Sequence, residues 1–138
     1  MESPEVRRRT MQAVKSKDTA PEMAVRRLAH RMGYRFRLHR KDLPGKPDLV
    51  FPRLHKVLFV HGCFWHGHDC ARGARVPVQN RAYWTNKIAR NQHRDKTAQA
   101  SLRALGWNVL VIWECETRNE DALRKRIDVF LFNADETP

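Results

Sequence analysis

The feature that most constrains this chain is the segment at positions 61 to 70, His-Gly-Cys-Phe-Trp-His-Gly-His-Asp-Cys, which carries three histidines and two cysteines. Such crowding of metal-ligand residue types is hard to explain by packing, whereas a structural zinc takes four nitrogen or sulfur ligands in a tetrahedron. Cys63, Cys70 and the distant Cys115 would supply three thiolates. We choose His68 as the fourth ligand, because alternate residues of an extended loop can wrap one ion. Three buried free thiols beside surface histidines remain the alternative.

Such a zinc site would contribute its binding energy to the folding of a small domain. The chain has 138 residues, which suits one domain. Its three cysteines are an odd number, which does not suit a disulfide framework. It has no run of eighteen apolar residues and no apolar stretch behind its N-terminal charges, so we predict neither a membrane span nor a secretory signal. We therefore expect a cytoplasmic protein with reduced cysteines.

The charge of the chain points to a polyanionic partner. Lys and Arg number 27 against 15 Asp and Glu, a formal net charge of +12, and nucleic acid is the leading partner for such an excess. The alternative to a specific nucleic-acid partner is that the basic charge serves only solubility or ribosome-like binding. Charge alone does not identify a reaction.

Two regions are expected along the chain. Residues 1–18 are polar and basic, typical of a flexible or DNA-ordered arm, and residues 19–133 are expected to form the folded domain. Thr19 and Glu22 have the spacing of a capping box, which predicts a helix that continues to Gly33.

The remaining pattern alternates strands and helices. Residues 34–39 alternate apolar with basic side chains and predict a half-buried strand, whereas two short apolar runs at 48–51 and 56–60 predict a hairpin. The most apolar segment, 107–113, predicts a central strand. A long basic helix is predicted over 83–105, and a last helix near the C terminus. The fold class is therefore α/β, a single-domain mixed sheet of about four strands flanked by helices.

Asp48 and His61 are the candidates for chemistry at the strand ends. Asp48 begins a strand after a Pro-Gly-Lys-Pro turn, and the neighbouring strand delivers Val60 and His61. Mg²⁺ takes oxygen ligands and keeps several waters, so one carboxylate, one backbone carbonyl and a phosphate could complete its shell. The alternative for Asp48 is a turn carboxylate that caps nearby amides.

Five motifs together resemble the very-short-patch repair (Vsr) endonucleases, over a match from about Arg7 to about Leu131. The motifs are Pro-Gly-Lys-Pro-Asp (44 to 48), His-Gly-Cys-Phe-Trp-His (61 to 66), Tyr-Trp-x-x-Lys-Ile (83 to 88), Asn-x-x-Arg-Asp (91 to 95) and Leu-Gly-Trp-x-Val-Leu-x-x-Trp-Glu-Cys (105 to 115). The resemblance implies a variant of the PD-(D/E)xK restriction-endonuclease fold. In this variant, residues 59–61 replace the usual Glu-x-Lys.

The resemblance also implies a reaction. It is a Mg²⁺-dependent nick in double-stranded DNA on the 5′ side of the mispaired thymine of a T:G mismatch, a lesion left by deamination of 5-methylcytosine. Asp48 and the main-chain carbonyl of Val60 would bind Mg²⁺. His66 would activate the attacking water, and His61 would contact the scissile phosphate or a metal-bound water.

Two further acidic residues, Glu22 and Asp95, match accessory positions of the family, although a capping role stays open for Glu22. Gly67 and Asp69 stand where relatives carry histidines, which favours His68 as the zinc ligand. Family members can carry Thr at the position of Val60, and this difference leaves the carbonyl ligand intact.

Reading a mismatch requires opening the base stack, and large apolar side chains inserted between base pairs do this at a cost of a few kcal/mol per step. The resemblance assigns this wedge to three aromatic residues, with two apolar residues of the N-terminal arm approaching from the other groove. They are Phe64, Trp65 and Trp84, and Met11 and Val14. For Trp84 a core position at a helix start is the alternative. Trp107 and Trp113 fit the strand pattern and are expected in the core.

The expected partner is double-stranded DNA with a T:G mismatch. The protein is expected to act as a monomer, and downstream repair proteins would act after it. Two alternatives stay open. One is a zinc-containing DNA-binding module without catalysis, which has no need of Asp48 with His66. The other is a nuclease of the same fold with a restriction role on another DNA substrate.

Overall fold

The computed structural model describes residues 18–71 and 73–132. The arm predicted over residues 1–18, with Met11 and Val14, therefore lies outside the described residues except for Asp18. Within these ranges the chain forms a mixed four-stranded sheet with three α-helices. The predicted α/β class and the number of strands are confirmed.

The sheet has the strand order β1-β2-β3-β4. The strands are β1 (Arg37–Leu38), β2 (Leu49–Phe51), β3 (Lys56–His61) and β4 (Asn108–Trp113). β2 pairs antiparallel with both β1 and β3, whereas β3 and β4 are parallel. The predicted hairpin is confirmed as β2 and β3, but the strand predicted over 34–39 contains only two residues.

The prediction that the 107–113 strand is central is wrong, because β4 is an edge strand. Its apolar residues are explained by helices on both faces of the sheet. Ile112 lies in a core cluster on one face, and Val109 and Val111 pack against the cluster on the other. A strand whose two faces are covered by helices has apolar residues on both faces, even when it lies at the edge of the sheet.

The helices are α1 (Ala20–Arg31), α2 (Arg81–Ala104) and α3 (Glu120–Phe132). The hydroxyl of Thr19 accepts a hydrogen bond from the amide of Glu22 at 3.3 Å, so the predicted N-cap is present. Gly33 follows the end of α1 with φ of +94°, a conformation that favours glycine. None of the helices in residues 18–71 and 73–132 has the length and apolarity needed to cross a membrane.

Two buried clusters hold the sheet from opposite sides. The first joins α1 and α3 to the sheet and contains Val25, Leu28, Ala29, Leu49, Phe51, Leu58, Ile112, Leu123, Ile127 and Leu131. The second packs the other face with α2 and contains Leu43, Val50, Val57, Phe59 and Leu102. Because β2 and β3 are clamped on both faces, the residues at their ends are held in defined positions.

Candidate active site and metal centre

The predicted catalytic residues gather at one end of the sheet. Asp48 directly precedes β2, and Val60 and His61 end the neighbouring β3. The Val60 amide donates a hydrogen bond to Oδ2 of Asp48 at 2.6 Å. The Asp48 carboxylate therefore caps a nearby amide, which was the alternative to a metal-binding role. It also lies against Val60, whose main-chain carbonyl is the second predicted magnesium ligand.

Asp48 shares this corner with a second carboxyl group. Burial raises the pKa of Asp48 to about 7, the hydrogen bond from Val60 opposes the rise, and the charge of Glu22 and a hydrogen bond with it add to the rise. Oδ1 of Asp48 lies 3.9 Å from Nε2 of His39. A buried and a largely buried carboxyl group in contact repel each other when both are ionised, so the pair gains from a bound cation. This donor set fits an oxygen-preferring divalent ion such as Mg²⁺.

Glu22 is buried, with 1% of its surface exposed. Its Oε1 accepts a hydrogen bond from the Asp18 amide at 3.1 Å, so the backbone partner precedes the N-cap residue Thr19. Its Oε2 contacts Arg26 one turn further along α1 and lies 2.8 Å from Nε2 of His39. A capping role and an accessory role in the active site are therefore compatible for Glu22. One carboxylate oxygen accepts a hydrogen bond at the start of α1, and the other contacts His39, which lies beside Asp48.

Arg26 and His39 were missed by the sequence analysis. Arg26 stands four residues after Glu22, a spacing at which opposite charges meet on a helix, so a signal for this pair existed. His39 had none, because its contacts with Glu22 are non-local. His39 also has a φ of +47°, in the left-handed region where non-glycine residues are uncommon.

His66, Asp95 and His61 form a second group beside the first. Nδ1 of His66 lies 2.6 Å from Oδ2 of Asp95 on α2. The His66 ring stacks on that of His61, with 3.8 Å between centroids and 4° between planes. The two groups adjoin through the consecutive residues Val60 and His61, since Val60 binds Asp48 and His61 stacks on His66.

The environment of His61 keeps its ring neutral. Burial, followed by the neighbouring His66, lowers the pKa of His61 to about 4, although the charge of Asp95 opposes this. The buried Nδ1 of His61 has no hydrogen-bond partner within residues 18–71 and 73–132. A buried polar atom that lacks a protein partner is costly unless another group or water meets it.

All four predicted zinc ligands converge. One ligand atom from each of Cys63, His68, Cys70 and Cys115 lies within 4.8 Å of the others, and Sγ of Cys115 is 3.6 Å from Nδ1 of His68. With Zn–S near 2.3 Å and Zn–N near 2.0 Å, a tetrahedral site has an S–N edge of about 3.5 Å. The residues present therefore fit a metal ion of the zinc type.

The protonation of the thiols depends on whether a cation is bound. Burial raises the pKa of Cys63 to about 12, and burial likewise raises the pKa of Cys115. Without a cation these groups would stay neutral, whereas a bound metal stabilises the thiolate form. The His68 ring stacks on Trp113, with centroids 4.2 Å apart, which fixes the orientation of the imidazole.

The loop between the ligands rests on α2. The side-chain amides of Asn91 and Gln92 donate to the carbonyls of Trp65 and Gly67, at 2.9 and 3.1 Å. Gly67 has a φ of +65°, and a β-carbon there would lie 2.2 Å from Nε2 of Gln92. A side chain at position 67 would therefore have to displace the side chain of Gln92, which ties the loop to α2. Asp69 is exposed.

The three rings predicted to form an aromatic wedge lie together. The ring centroids of Phe64, Trp65 and Trp84 lie 5.1, 5.6 and 5.7 Å apart in edge-to-face contacts. Tyr83 extends the group and is 51% exposed. Lys87 holds its ammonium 5.7 Å from the Trp65 centroid. Trp84 packs with these half-buried rings rather than in either core cluster described above.

The other two tryptophans differ from each other. Trp107 was expected in the core and is half-buried, but it packs against the second core cluster. Trp113 was expected in the core but is only half-buried, and its indole lies against His61 and His68. The end of β4 thus contacts both the predicted catalytic group and a predicted zinc ligand, a role that strand periodicity alone does not reveal.

Comparisons with known proteins agree on one family. The family model described as DNA mismatch endonuclease Vsr matches residues 1–72. The type II nicking enzyme V.XorIIP of Xanthomonas oryzae pv. oryzae is 57% identical over 91% of this chain and 91% of its own length. The DNA mismatch endonuclease Vsr of Escherichia coli is 37% identical over 91% and 83%. The type II nicking enzyme V.NmeAIP of Neisseria meningitidis is 40% identical over 86% and 84%.

Proposed function

The chain belongs to the Vsr family of DNA mismatch endonucleases, and on this premise we propose that it nicks duplex DNA on the 5′ side of the mispaired thymine in T:G mismatches. The nick would initiate very-short-patch repair of deaminated 5-methylcytosine. The observation that carries the proposal is the His66–Asp95 pair, stacked on His61, at the strand end that Asp48 also reaches.

His66 is proposed as the general base of the hydrolysis. Its Nδ1–H donates to Asp95 at 2.6 Å, which leaves Nε2 as the acceptor for a proton from the attacking water. A carboxylate that holds one ring nitrogen fixes the tautomer and stabilises the imidazolium that forms. The neutral His61 beside it would contact the scissile phosphate or a metal-bound water.

Asp48 and the main-chain carbonyl of Val60 would hold Mg²⁺, which supplies neutralisation of the phosphate charge when bound. The carboxyl pair of Asp48 and Glu22 supports this assignment, because it gains from a cation. At the other centre, Zn²⁺ would be held by a structural set of three cysteines and one histidine, Cys63, His68, Cys70 and Cys115.

Mismatch recognition is assigned to the aromatic wedge of Phe64, Trp65 and Trp84. Its rings contact each other on the loop between the zinc ligands and on the start of α2, close in sequence to His66. A mismatched pair unstacks more easily than a matched one, so an inserted wedge favours it. DNA of this kind would be met in the bacterial cytoplasm.

A nicking assay with Mg²⁺ tests the proposal. Duplexes that carry T:G, matched T:A or another mismatch are compared for wild type, Asp48→Ala, His66→Ala and the exposed control His93→Ala. We expect nicking of T:G alone, loss of it in the two site variants, and wild-type activity for His93→Ala.

Other results would select the alternatives. Equal nicking of T:G and T:A duplexes would favour a restriction-type nuclease of the same fold. Tight DNA binding without nicking would indicate a zinc-containing DNA-binding module without catalysis. Activity that survives both Asp48→Ala and His66→Ala would refute the proposed site.

A further inference from the structure

The His61 ring is buried, and one of its two nitrogens is held by no atom of the described chain. His61 is 5% exposed, and its buried Nδ1 has no hydrogen-bond partner within residues 18–71 and 73–132. The outer torsion of a histidine side chain is soft, and a ring flip exchanges nitrogen and carbon positions. His66 differs, because Asp95 lies 2.6 Å from its Nδ1 and orients it. The orientation of the His61 ring therefore depends on the rings packed around it.

Aromatic rings pack around His61, and one of them comes from β4. The ring of Phe59, two residues earlier on the same strand, lies 5.5 Å away, and the His66 ring is stacked at 3.8 Å. The indole of Trp113 lies 5.3 Å away, at 73° to the imidazole plane. His61 and Trp113 are paired residues in the parallel register of β3 and β4, so their side chains lie on the same face of the sheet. Trp113 thus supports the His61 ring from the neighbouring strand.

Trp113 is itself held in place by other parts of the fold. Its indole stacks on the His68 ring, with centroids 4.2 Å apart and 16° between the planes. Its amide donates a hydrogen bond to Oε1 of Glu116 at 2.9 Å, and Glu116 pairs with Arg126 of α3. A side chain whose own neighbours are fixed can lock another side chain by packing. Trp113 therefore connects a fixed part of the fold to the His61 ring.

We propose that Trp113 is a positioning residue for the nicking reaction, because it holds the His61 imidazole in the orientation in which it meets the scissile phosphate or a metal-bound water. The inference rests on the proposed function, which gives His61 that contact. Trp113 acts through His61 and touches no reacting atom. An aliphatic side chain at position 113 would leave the imidazole without its edge-to-face contact. A small misplacement of a reacting group is enough to slow a reaction strongly.

The test is a double-mutant cycle between position 113 and His61, measured by single-turnover nicking of a T:G duplex with zinc-loaded full-length protein. Trp113→Leu should lower the rate by roughly 10²-fold, because the imidazole is no longer held in place. Trp113→Phe keeps a ring and should lower the rate only about fivefold. In a His61→Ala background, neither change at position 113 should slow the reaction further. A purely structural role would slow the reaction in both backgrounds.

Two further measurements separate positioning from damage to the fold. In Trp113→Leu, the Kd for the T:G duplex should stay within about threefold of wild type, and the zinc content should be unchanged. The control Trp107→Leu makes the same substitution at the residue directly before β4, which packs against the second core cluster. It should lower the melting temperature, yet the folded variant should nick at the wild-type rate.

A wild-type rate for Trp113→Leu, or an equal loss with and without His61, would overturn the inference. If Trp113→Leu loses its zinc or does not fold, the Trp113→Phe cycle decides. A loss that disappears in the His61→Ala background then supports the inference, and any other result overturns it. Failure of the proposed function is distinguishable, because the wild type itself would then leave the T:G duplex intact.

Discussion

His66 on the loop after β3 and Asp95 in the middle of α2 lie 29 residues apart, yet Nδ1 and Oδ2 meet at 2.6 Å. The contact orients the imidazole and links the loop to the helix that crosses the sheet. The side-chain amides of Asn91 and Gln92 tie the same loop to the same helix, so the proposed base and its orienting carboxylate are held on one rigid unit.

Asp95→Asn should lower the single-turnover rate of T:G nicking by roughly 10²-fold or more, because the amide can hold the wrong tautomer of His66. DNA binding should change little. The rate is measured with enzyme in excess over labelled duplex, and the control is Asp121→Asn at an exposed position of α3. A rate that stays within a few-fold of wild type would remove Asp95 from the mechanism.

Asp48 should make the stability of the Mg²⁺-free protein depend on pH. Its pKa is about 7 in the folded protein against an ordinary 3.8, so its stabilising contribution is complete below pH 3.8 and is lost as the pH rises through 7. At about 1.4 kcal/mol for each pKa unit, the free energy of unfolding should fall by up to about 4 kcal/mol relative to Asp48→Asn.

Urea unfolding of both proteins from pH 4 to 8 measures this difference. Added Mg²⁺ should restore the wild type at pH 8 and have little effect near pH 5, where protons hold the carboxylate. Parallel pH curves for wild type and Asp48→Asn would contradict the raised pKa.

Cys115→Ser should lose the metal of the second centre. We expect about one zinc per wild-type chain and much less for the variant, with a melting temperature lower by several degrees, since zinc binding contributes to folding. Metal analysis and thermal unfolding measure the two effects. Equal zinc content in both proteins would remove Cys115 from the ligand set.

Gly67→Ala should destabilise the protein by about 1–3 kcal/mol, because the new β-carbon combines positive φ with a clash against Gln92. The matched control is Gly33→Ala, where φ is also positive but a β-carbon would meet no atom of the described chain within 4 Å. Unfolding free energies should show the larger loss for Gly67→Ala, and Gln92→Ala should recover part of it. Equal losses at the two glycines would mean that the clash is relieved elsewhere.

Trp84→Ala should reduce mismatch recognition while leaving the fold intact, because Trp84 packs in the aromatic wedge. We expect a smaller rise in the fluorescence of 2-aminopurine placed beside the T:G pair, and slower nicking. The comparison variant Trp107→Ala should lower stability instead, since that indole packs against the second core cluster. The reverse pattern would place Trp84 in the core.

Local features of this chain were predictable from its residues. The hairpin of β2 and β3, the Thr19 cap, the three helices and the convergence of Cys63 with Cys70 all follow from spacing within one element or one loop. The distant Cys115 and Asp95 were assigned from ligand chemistry and family resemblance, and both lie beside the expected partners.

The sequence by itself thus determined the three helices, the β2–β3 hairpin and the residues at the strand ends, because backbone propensity acts over short spacings. Only the tertiary structure decided that β4 lies at the sheet edge, that Trp113 bridges two sites, and that Arg26 and His39 enclose Glu22. These relationships depend on how helices pack across a sheet, and no local pattern encodes which distant side chain fills a given space.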